Sequence, residues 1–139
     1  MPDETVIEER KMQQVVTAHQ MASAIQQQGF ATLYVQFPTN SAAIQPEAKP
    51  AINEVVALLA KDTSLKISVE GHTDNVGNAA ANKKLSQDRA ASIVKALVDA
   101  KIDSQRLRAK GWGSEVPVAD NRSEEGRAKN RRVELVKIK

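Results

Sequence analysis

Two oppositely charged side chains stand on either side of a polar loop. Asp74 follows a stretch in which apolar and polar residues alternate, and Arg89 lies fifteen positions later, near the start of a helical pattern. A guanidinium group binds a carboxylate through two parallel hydrogen bonds, whereas a carboxylate accepts hydrogen bonds from an ammonium group. Asp74 and Arg89 together therefore predict a receptor for a zwitterion, which carries one group of each sign on the same carbon.

The expected position of Arg89 in its helix adds to this interpretation. If Ser86 is the N-cap, Arg89 is the third helical residue. A positive charge there opposes the helix dipole by roughly 0.3 to 1 kcal/mol, so helix stability alone would not select it. The free N–H groups of a helix start would help to bind a carboxylate. The same spacing allows an alternative, in which Asp74 and Arg89 pair only with each other.

Composition argues against several other classes of site. The chain has no cysteine, which excludes disulfides, thiolate metal sites and a cysteine nucleophile. His72 and Asp74 have a spacing that occurs in metal-dependent hydrolases, but only His19 could join them. We therefore expect a structural hydrogen-bonding role for His72, and neither a metal nor a cofactor. Residues 101–139 hold eleven basic and six acidic side chains but only one aromatic residue, Trp112, which argues against a nucleic-acid partner.

The 139 residues have room for one domain, whose core must be mainly aliphatic because aromatic residues are few. No apolar run reaches the roughly 18 to 20 residues that span a bilayer, and no signal segment opens the chain. Any attachment to a membrane would therefore need an anchor outside this sequence.

Hydrophobic periodicity predicts an α/β (α+β sandwich) fold, a β-α-β-α-β-β mixed sheet with helices packed on it and preceded by an extra amino-terminal helix. The predicted segments are, in order, helix 4–28, strand 30–37, helix 46–61, strand 65–71, a helix from Ser86 to about Lys101, strand 106–113 and strand 131–139. The residues expected to point inward are Ile52, Val55, Val56, Leu59, Leu65, Ile67, Val69, Ala90, Ile93, Val94, Leu97, Leu107 and Ala109. The polar segment 114–130 is too long for a hairpin loop, which predicts a functional or partly helical excursion.

Several short motifs occur together in a fixed order. They are FPTNSAAI at 37–44, GHTD at 71–74, Gly77, Asn82, LSQDRA at 85–90, GWG at 111–113 and NRSEEGRAKNRRVEL at 121–135. This combination resembles the OmpA-like C-terminal domain family over about residues 30–139. The resemblance implies the same β-α-β-α-β-β fold, in a bacterial envelope domain that binds peptidoglycan non-covalently and is not an enzyme. It divides the chain into a helix or linker at 1–29 and the OmpA-like domain at 30–139.

The resemblance also implies which residues bind the ligand. Asp74 and Arg89 match the family's aspartate and arginine that hold the diaminopimelate of the peptidoglycan stem peptide. The supporting contacts expected from the same match are Asn40, Asn82 and Arg131, with Thr73 and Thr39 as further candidates.

Other residues of these motifs are expected to serve the fold. Gly71 and Gly77 would adopt backbone conformations that are closed to other residues. Arg132 and Glu134 would be ordinary charges on a strand face.

The resemblance implies a place in the cell as well. We expect a periplasmic domain that is attached to the outer membrane in the full-length protein, as in a lipoprotein, and that tethers it to the cell wall. The alternative is the wall-anchoring domain of a flagellar-type stator or a secretion-system component. The partners that either setting allows, besides peptidoglycan, are a second copy of the domain or another envelope protein. The sequence leaves open whether the amino-terminal helix packs on the domain or projects from it.

Overall fold

The computed structural model describes residues 15–139, and the first predicted helix falls partly outside this range. Within the described residues that helix begins at Ala18, because Thr17 is its N-cap and forms a capping box with Gln20. Residues 15–17 are not helical, so the prediction of one helix running continuously to residue 28 is wrong there. The helix ends after residue 28, as predicted, and Gly29 follows it in a left-handed conformation with φ of 87°.

Four helices and four strands make up the described chain. They are α1 (Ala18–Gln28), β1 (Phe30–Leu33), α2 (Lys49–Lys61), β2 (Ile67–His72), α3 (Ala79–Asp99), β3 (Leu107–Gly113), α4 (Glu124–Asn130) and β4 (Arg132–Lys137). Short 3-10 turns at Pro46–Ala48 and Ser104–Arg106 precede α2 and β3. The predicted α+β order is confirmed, and the excursion between β3 and β4 does contain a helix, α4.

The strands form one open mixed sheet in the order β1-β4-β2-β3. Strands β2 and β3 are parallel, which fits the helical crossover α3 between them. The last strand, β4, lies inside the sheet and runs antiparallel to both β1 and β2. The end of the chain therefore joins the first strand to the rest of the domain.

The core is aliphatic and lies between the helices and one face of the sheet. Most of the residues expected to point inward are buried, whereas Val56, Val94 and Ala109 pack at its margin. Helix α1 packs on the same core, since Met21 is fully buried and Ile25 is 6% exposed. This settles the question that the sequence left open for residues 18–28.

Strand β1 is shorter than predicted, because its pairing with β4 ends at Leu33 opposite Val133. Residues 34–45 leave the sheet and lie beside the cleft described below. Their course is fixed partly by Arg89, whose guanidinium binds the backbone carbonyls of Pro38 and Ser41.

Helix α3 lies directly against β2 and β3, with no room for a side chain at two glycines. A Cβ atom on Gly71 would overlap the carbonyl of Ser86, and one on Gly111 would overlap the backbone of Gln87. The prediction of an unusual conformation is therefore wrong for Gly71, where close approach of the helix is the reason. It is confirmed for Gly77, whose φ is 89°.

Among residues 15–139, no helix combines the length and the apolar content that crossing a bilayer would require.

Candidate functional site

A cleft of about 680 Å³ opens where β2 ends. Its walls come from the segment after β1, the loop after β2, helix α3 and helix α4. All seven residues that the sequence suggests for ligand binding line it, namely Thr39, Asn40, Thr73, Asp74, Asn82, Arg89 and Arg131. The fold thus brings together side chains that are up to 92 positions apart, from Thr39 to Arg131.

Helix α3 starts eight residues earlier than the position expected from Ser86. Its N-cap is Asn78, whose side chain accepts a hydrogen bond from the N–H of Ala81. Ser86 is instead a buried residue inside the helix, where its hydroxyl donates to the carbonyl of Lys83 and accepts from the N–H of Gly113. Arg89 therefore lies ten residues after Ala79, and the predicted conflict with the helix dipole is wrong.

Arg89 is a half-buried arginine with two of its donors already used. Its Nε donates to the carbonyl of Ser41 at 2.9 Å and its Nη2 to that of Pro38 at 3.1 Å, while its Cζ lies 4.9 Å from the centre of the Phe37 ring. Among the described residues, Nη1 has no hydrogen-bond partner. Burial lowers the pKa of Arg89, and the nearby charge of Asp74 partly opposes this effect. Arg89 therefore fixes the segment that carries Thr39 and Asn40 and still has a donor for a ligand.

Asp74 pairs with Arg131 and not with Arg89. Its Oδ2 accepts a hydrogen bond from Arg131 Nη1 at 2.8 Å, and its Oδ1 accepts one from the N–H of Val76 at 3.0 Å. The Asp74 side chain is 14% exposed. The alternative of a mutual Asp74–Arg89 ion pair is therefore wrong, and the two charges remain separate on the cleft wall.

Arg131 forms a bridge between two carboxylates. Besides Asp74, its Nη2 donates to Glu124 Oε1 at 2.8 Å. Burial acts to lower the pKa of Arg131, but the hydrogen bonds to Glu124 and Asp74 outweigh it and raise the pKa. The same bond to Arg131 lowers the pKa of Glu124.

The remaining sequence candidates shape the cleft through backbone contacts. The Asn82 side chain donates to the carbonyl of Val76 at 2.9 Å, and the Thr73 hydroxyl donates to the carbonyl of Asp74 at 2.8 Å. Asn40 adopts a left-handed conformation with φ of 56°, next to the exposed Thr39. Asn82 and Thr73 thus hold the loop that carries Asp74.

His72, just before this loop, does not make the structural hydrogen bonds that we expected. Neither ring nitrogen has a hydrogen-bond partner, and Nε2 lies 3.7 Å from Glu134 Oε1. The ring stacks on that of Trp112. Burial lowers the pKa of His72, as does the charge of Arg132, against the opposing charges of Glu134 and Glu70. Among residues 15–139, no group of three His, Cys, Asp or Glu side chains is placed to hold a metal ion.

Arg132 and Glu134 are not ordinary surface charges. Arg132 is 4% exposed, and its Nε donates to Glu134 Oε2 at 2.9 Å. Its other nitrogens donate to the carbonyls of Asn130 and Val116. This buried ion pair fixes the chain on both sides of α4, which carries part of the cleft wall.

The family model described as the OmpA family matches residues 36–131, which include most of the residues that line the cleft. This chain belongs to the OmpA family. The cleft is therefore part of an OmpA-family domain, and α1 precedes the region that the family model covers.

OmpA-family relatives with similar sequences include proteins of the bacterial outer membrane. Outer membrane protein Omp38 of Acinetobacter baumannii is 42% identical over 102 residues, which cover 73% of this chain and 29% of Omp38. The probable lipoprotein YiaD of Escherichia coli is 37% identical over 101 residues, which cover 73% of this chain and 46% of YiaD. The chain thus spans less than half the length of these relatives.

Solved structures with the same fold include two from the cell envelope. The cell wall anchor of the T6SS from Pseudomonas aeruginosa has a TM-score of 0.70 at 32% identity, covering 88% of this chain and 96% of that one. The peptidoglycan-associated lipoprotein from Burkholderia pseudomallei has a TM-score of 0.68 at 28% identity, covering 77% of this chain and 89% of that one.

Two charged cleft residues of helix α4 were missed as candidates from the sequence. Glu124 and Arg127 both lie on α4 and line the cleft. A signal was present, because Ser123 caps α4 and two glutamates follow it in the first turn. Identifying α4 from that pattern would have placed both side chains beside Arg131.

Proposed function

We propose that this OmpA-family domain binds peptidoglycan non-covalently, through the zwitterionic end of the diaminopimelate in its stem peptide. The observation that carries the proposal is the separation of Asp74 and Arg89 on the wall of one cleft, each with capacity for a further partner. An ammonium group would bind the Asp74 carboxylate, and a carboxylate would bind Arg89. We expect Thr39 and Asn40, on the segment that Arg89 binds, to contact the same end of the ligand.

The proposed role is binding and not catalysis. Every polar residue that we assign to the cleft acts by charge or by hydrogen bonding, and the proposal requires neither a metal nor a cofactor. Binding to the wall would anchor the protein that contains this domain, in the periplasm and next to the outer membrane. Support comes from the relatives named as outer membrane proteins or lipoproteins and from the peptidoglycan-associated lipoprotein of similar fold.

A second setting for the same binding site is a large envelope machine that must resist force. The similarity to the T6SS cell wall anchor favours a secretion-system component. The upstream sequence of the full-length protein separates the two settings, because a lipid anchor supports the first and a transmembrane helix supports the second.

Sedimentation with purified peptidoglycan sacculi tests the proposal. We expect the domain to pellet with sacculi, and Asp74→Asn to weaken this binding roughly tenfold to a hundredfold, because it removes the charge that holds the ammonium. Binding should also weaken as salt is added, since the contacts are between charges.

Arg89 requires a milder substitution than alanine, because it also holds the segment at Pro38 and Ser41. We expect Arg89→Lys to lose binding through loss of the planar fork and to melt within a few degrees of the wild type. Arg108→Lys, an exposed arginine on β3, is the matched control and should bind normally. Unchanged sedimentation of the double variant Asp74→Asn, Arg89→Lys would overturn the proposal.

A further inference from the structure

We infer that the cleft also binds a second carboxylate of the same peptide, at a subsite formed by Arg127 and Arg131 beside α4. The inference rests on the proposed function and extends it to a third ionised group of the ligand. The cleft volume of about 680 Å³ lies within the usual range for small-molecule sites, about 300 to 1,000 Å³. One zwitterionic end would leave much of it unfilled.

Four side chains of alternating charge line the cleft from the β2 loop to α4. Asp74 Oδ2 accepts from Arg131 Nη1 at 2.8 Å, and Arg131 Nη2 donates to Glu124 Oε1 at 2.8 Å. Arg127 Nε then donates to Glu124 Oε2 at 3.2 Å. The charges of these two carboxylates and two guanidinium groups cancel. Together with Arg89, the five side chains therefore have a net charge of one positive unit.

A zwitterion alone leaves that positive charge uncompensated. Its ammonium shares the carboxylate of Asp74 with Arg131, so the bond between Arg131 and Asp74 is weaker when the ligand is bound. Arg132 does not alter this balance, because its buried guanidinium pairs with Glu134. A second carboxylate on the ligand gives Arg131 a further anionic partner, which couples the binding of the ammonium to the binding of this carboxylate.

Arg127 is oriented to share that carboxylate. Its Nε and Nη1 are fixed by Glu124 and by the carbonyl of Asn121, the latter at 2.9 Å. The side chain is 27% exposed and lines the cleft. Its Nη2 has no hydrogen-bond partner within residues 15–139. A guanidinium held at two nitrogens loses little side-chain freedom when it binds a ligand oxygen, and such a charge-assisted bond is strong.

Calorimetric titration with synthetic tripeptides tests the subsite. The probe is L-Ala-γ-D-Glu-meso-diaminopimelate, whose two further carboxylates are on the glutamate and on the peptide-linked centre of diaminopimelate. Two derivatives each replace one of these carboxylates by a carboxamide. We expect one derivative to bind the wild type roughly tenfold more weakly than the parent peptide, which identifies the carboxylate that is bound.

Variants of Arg127 test whether this side chain causes the preference for the parent peptide over the sensitive carboxamide derivative. Arg127→Gln should weaken the binding of the parent peptide roughly tenfold and leave the affinity for the sensitive carboxamide derivative unchanged. Arg127→Lys, which keeps the positive charge, should retain part of the preference for the parent peptide. The matched control is Arg122→Gln, since Arg122 is 91% exposed, pairs with Asp120 and lies outside the cleft lining.

Two results would overturn the proposed subsite and leave the proposed function intact. One is equal affinity of the wild type for all three peptides. The other is that Arg127→Gln weakens the binding of the parent peptide and of the carboxamide derivatives by the same factor. The wild-type comparison needs no variant to fold. Failure of every peptide to bind, in contrast, would overturn the proposed function and the subsite with it.

Discussion

At the scale of single residues, the buried imidazole of His72 is the least expected feature. Both ring nitrogens are buried without a hydrogen bond, and the ring lies between Trp112 and Glu134. Burial of a titratable group without hydrogen-bond partners disfavours the charged form of that group. His72 therefore links the stability of this part of the sheet to pH, directly beside the loop that carries Asp74.

Acid should destabilise the domain through His72. Its pKa is lowered in the folded state, so in the range just below about 6.5 the unfolded chain binds a proton that the folded chain does not. The free energy of unfolding should thus fall as the pH decreases through that range. Urea denaturation at a series of pH values measures this dependence.

Two histidine variants isolate this effect. His72→Phe, which keeps the stacking on Trp112, should make unfolding less sensitive to pH between about 5 and 7. His19→Gln is the control at the exposed histidine of α1 and should leave the slope unchanged. If the free energy of unfolding changed with pH equally in His72→Phe and in the wild type, the prediction would be contradicted.

At the scale of elements, the tight packing of α3 on β2 and β3 determines where Arg89 lies. Gly71 and Gly111 let the helix backbone approach the strands, and Ser86 binds the N–H of Gly113. The Gln87 side chain donates to the carbonyl of Ala109 and accepts from the N–H of Gly111. These bonds occupy backbone groups of the edge strand β3 that would otherwise be open to another chain.

A methyl group at the contact between Gly111 and α3 should destabilise the domain. We expect Gly111→Ala to lower the free energy of unfolding by roughly 1 to 3 kcal/mol, because the helix backbone must move away from the strand. Since α3 also carries Arg89, binding to sacculi should weaken even where the variant remains folded. Arg108→Ala, on the same strand at an exposed position, should change neither property. Urea titration and sedimentation measure the two effects, and wild-type stability of Gly111→Ala would show that the contact is not tight.

At the scale of the whole molecule, the core extends beyond the region that the family model matches. Helix α1 contributes Met21 and Ile25, and the N–H of Ala18 donates to Glu54 of α2 at 3.0 Å. The sequence-based boundary between 1–29 and 30–139 remains a prediction. The packing leads us to propose that residues 18–28 fold together with the rest.

Truncating Met21 tests this proposal. Met21 is fully buried, so Met21→Ala should lower the free energy of unfolding by about 2 to 5 kcal/mol. Ala22→Ser, at the exposed neighbouring position, should have little effect. A negligible loss for Met21→Ala would mean that α1 is dispensable and that the domain folds from residue 30 onward.

The sequence by itself predicted the order of the strands and of the longer helices, and it selected seven side chains that the fold brings to one cleft. Ile67 and Val69 alternate with polar neighbours, and Ile93 and Leu97 recur at helical spacing, because burial on one face imposes a period on the chain. The motifs around Asp74 and Arg89 indicated the family in the same way, since they are local patterns.

Only the tertiary structure decided which charges meet. The partner of Asp74 is Arg131, 57 positions away, and not the nearer Arg89. Arg89 is held by the carbonyls of Pro38 and Ser41, about 50 positions before it. The true start of α3 was also hidden, because Ser86 has the side chain of an N-cap but lies against the sheet. Contacts between distant segments depend on how helices and strands pack, which no local pattern contains.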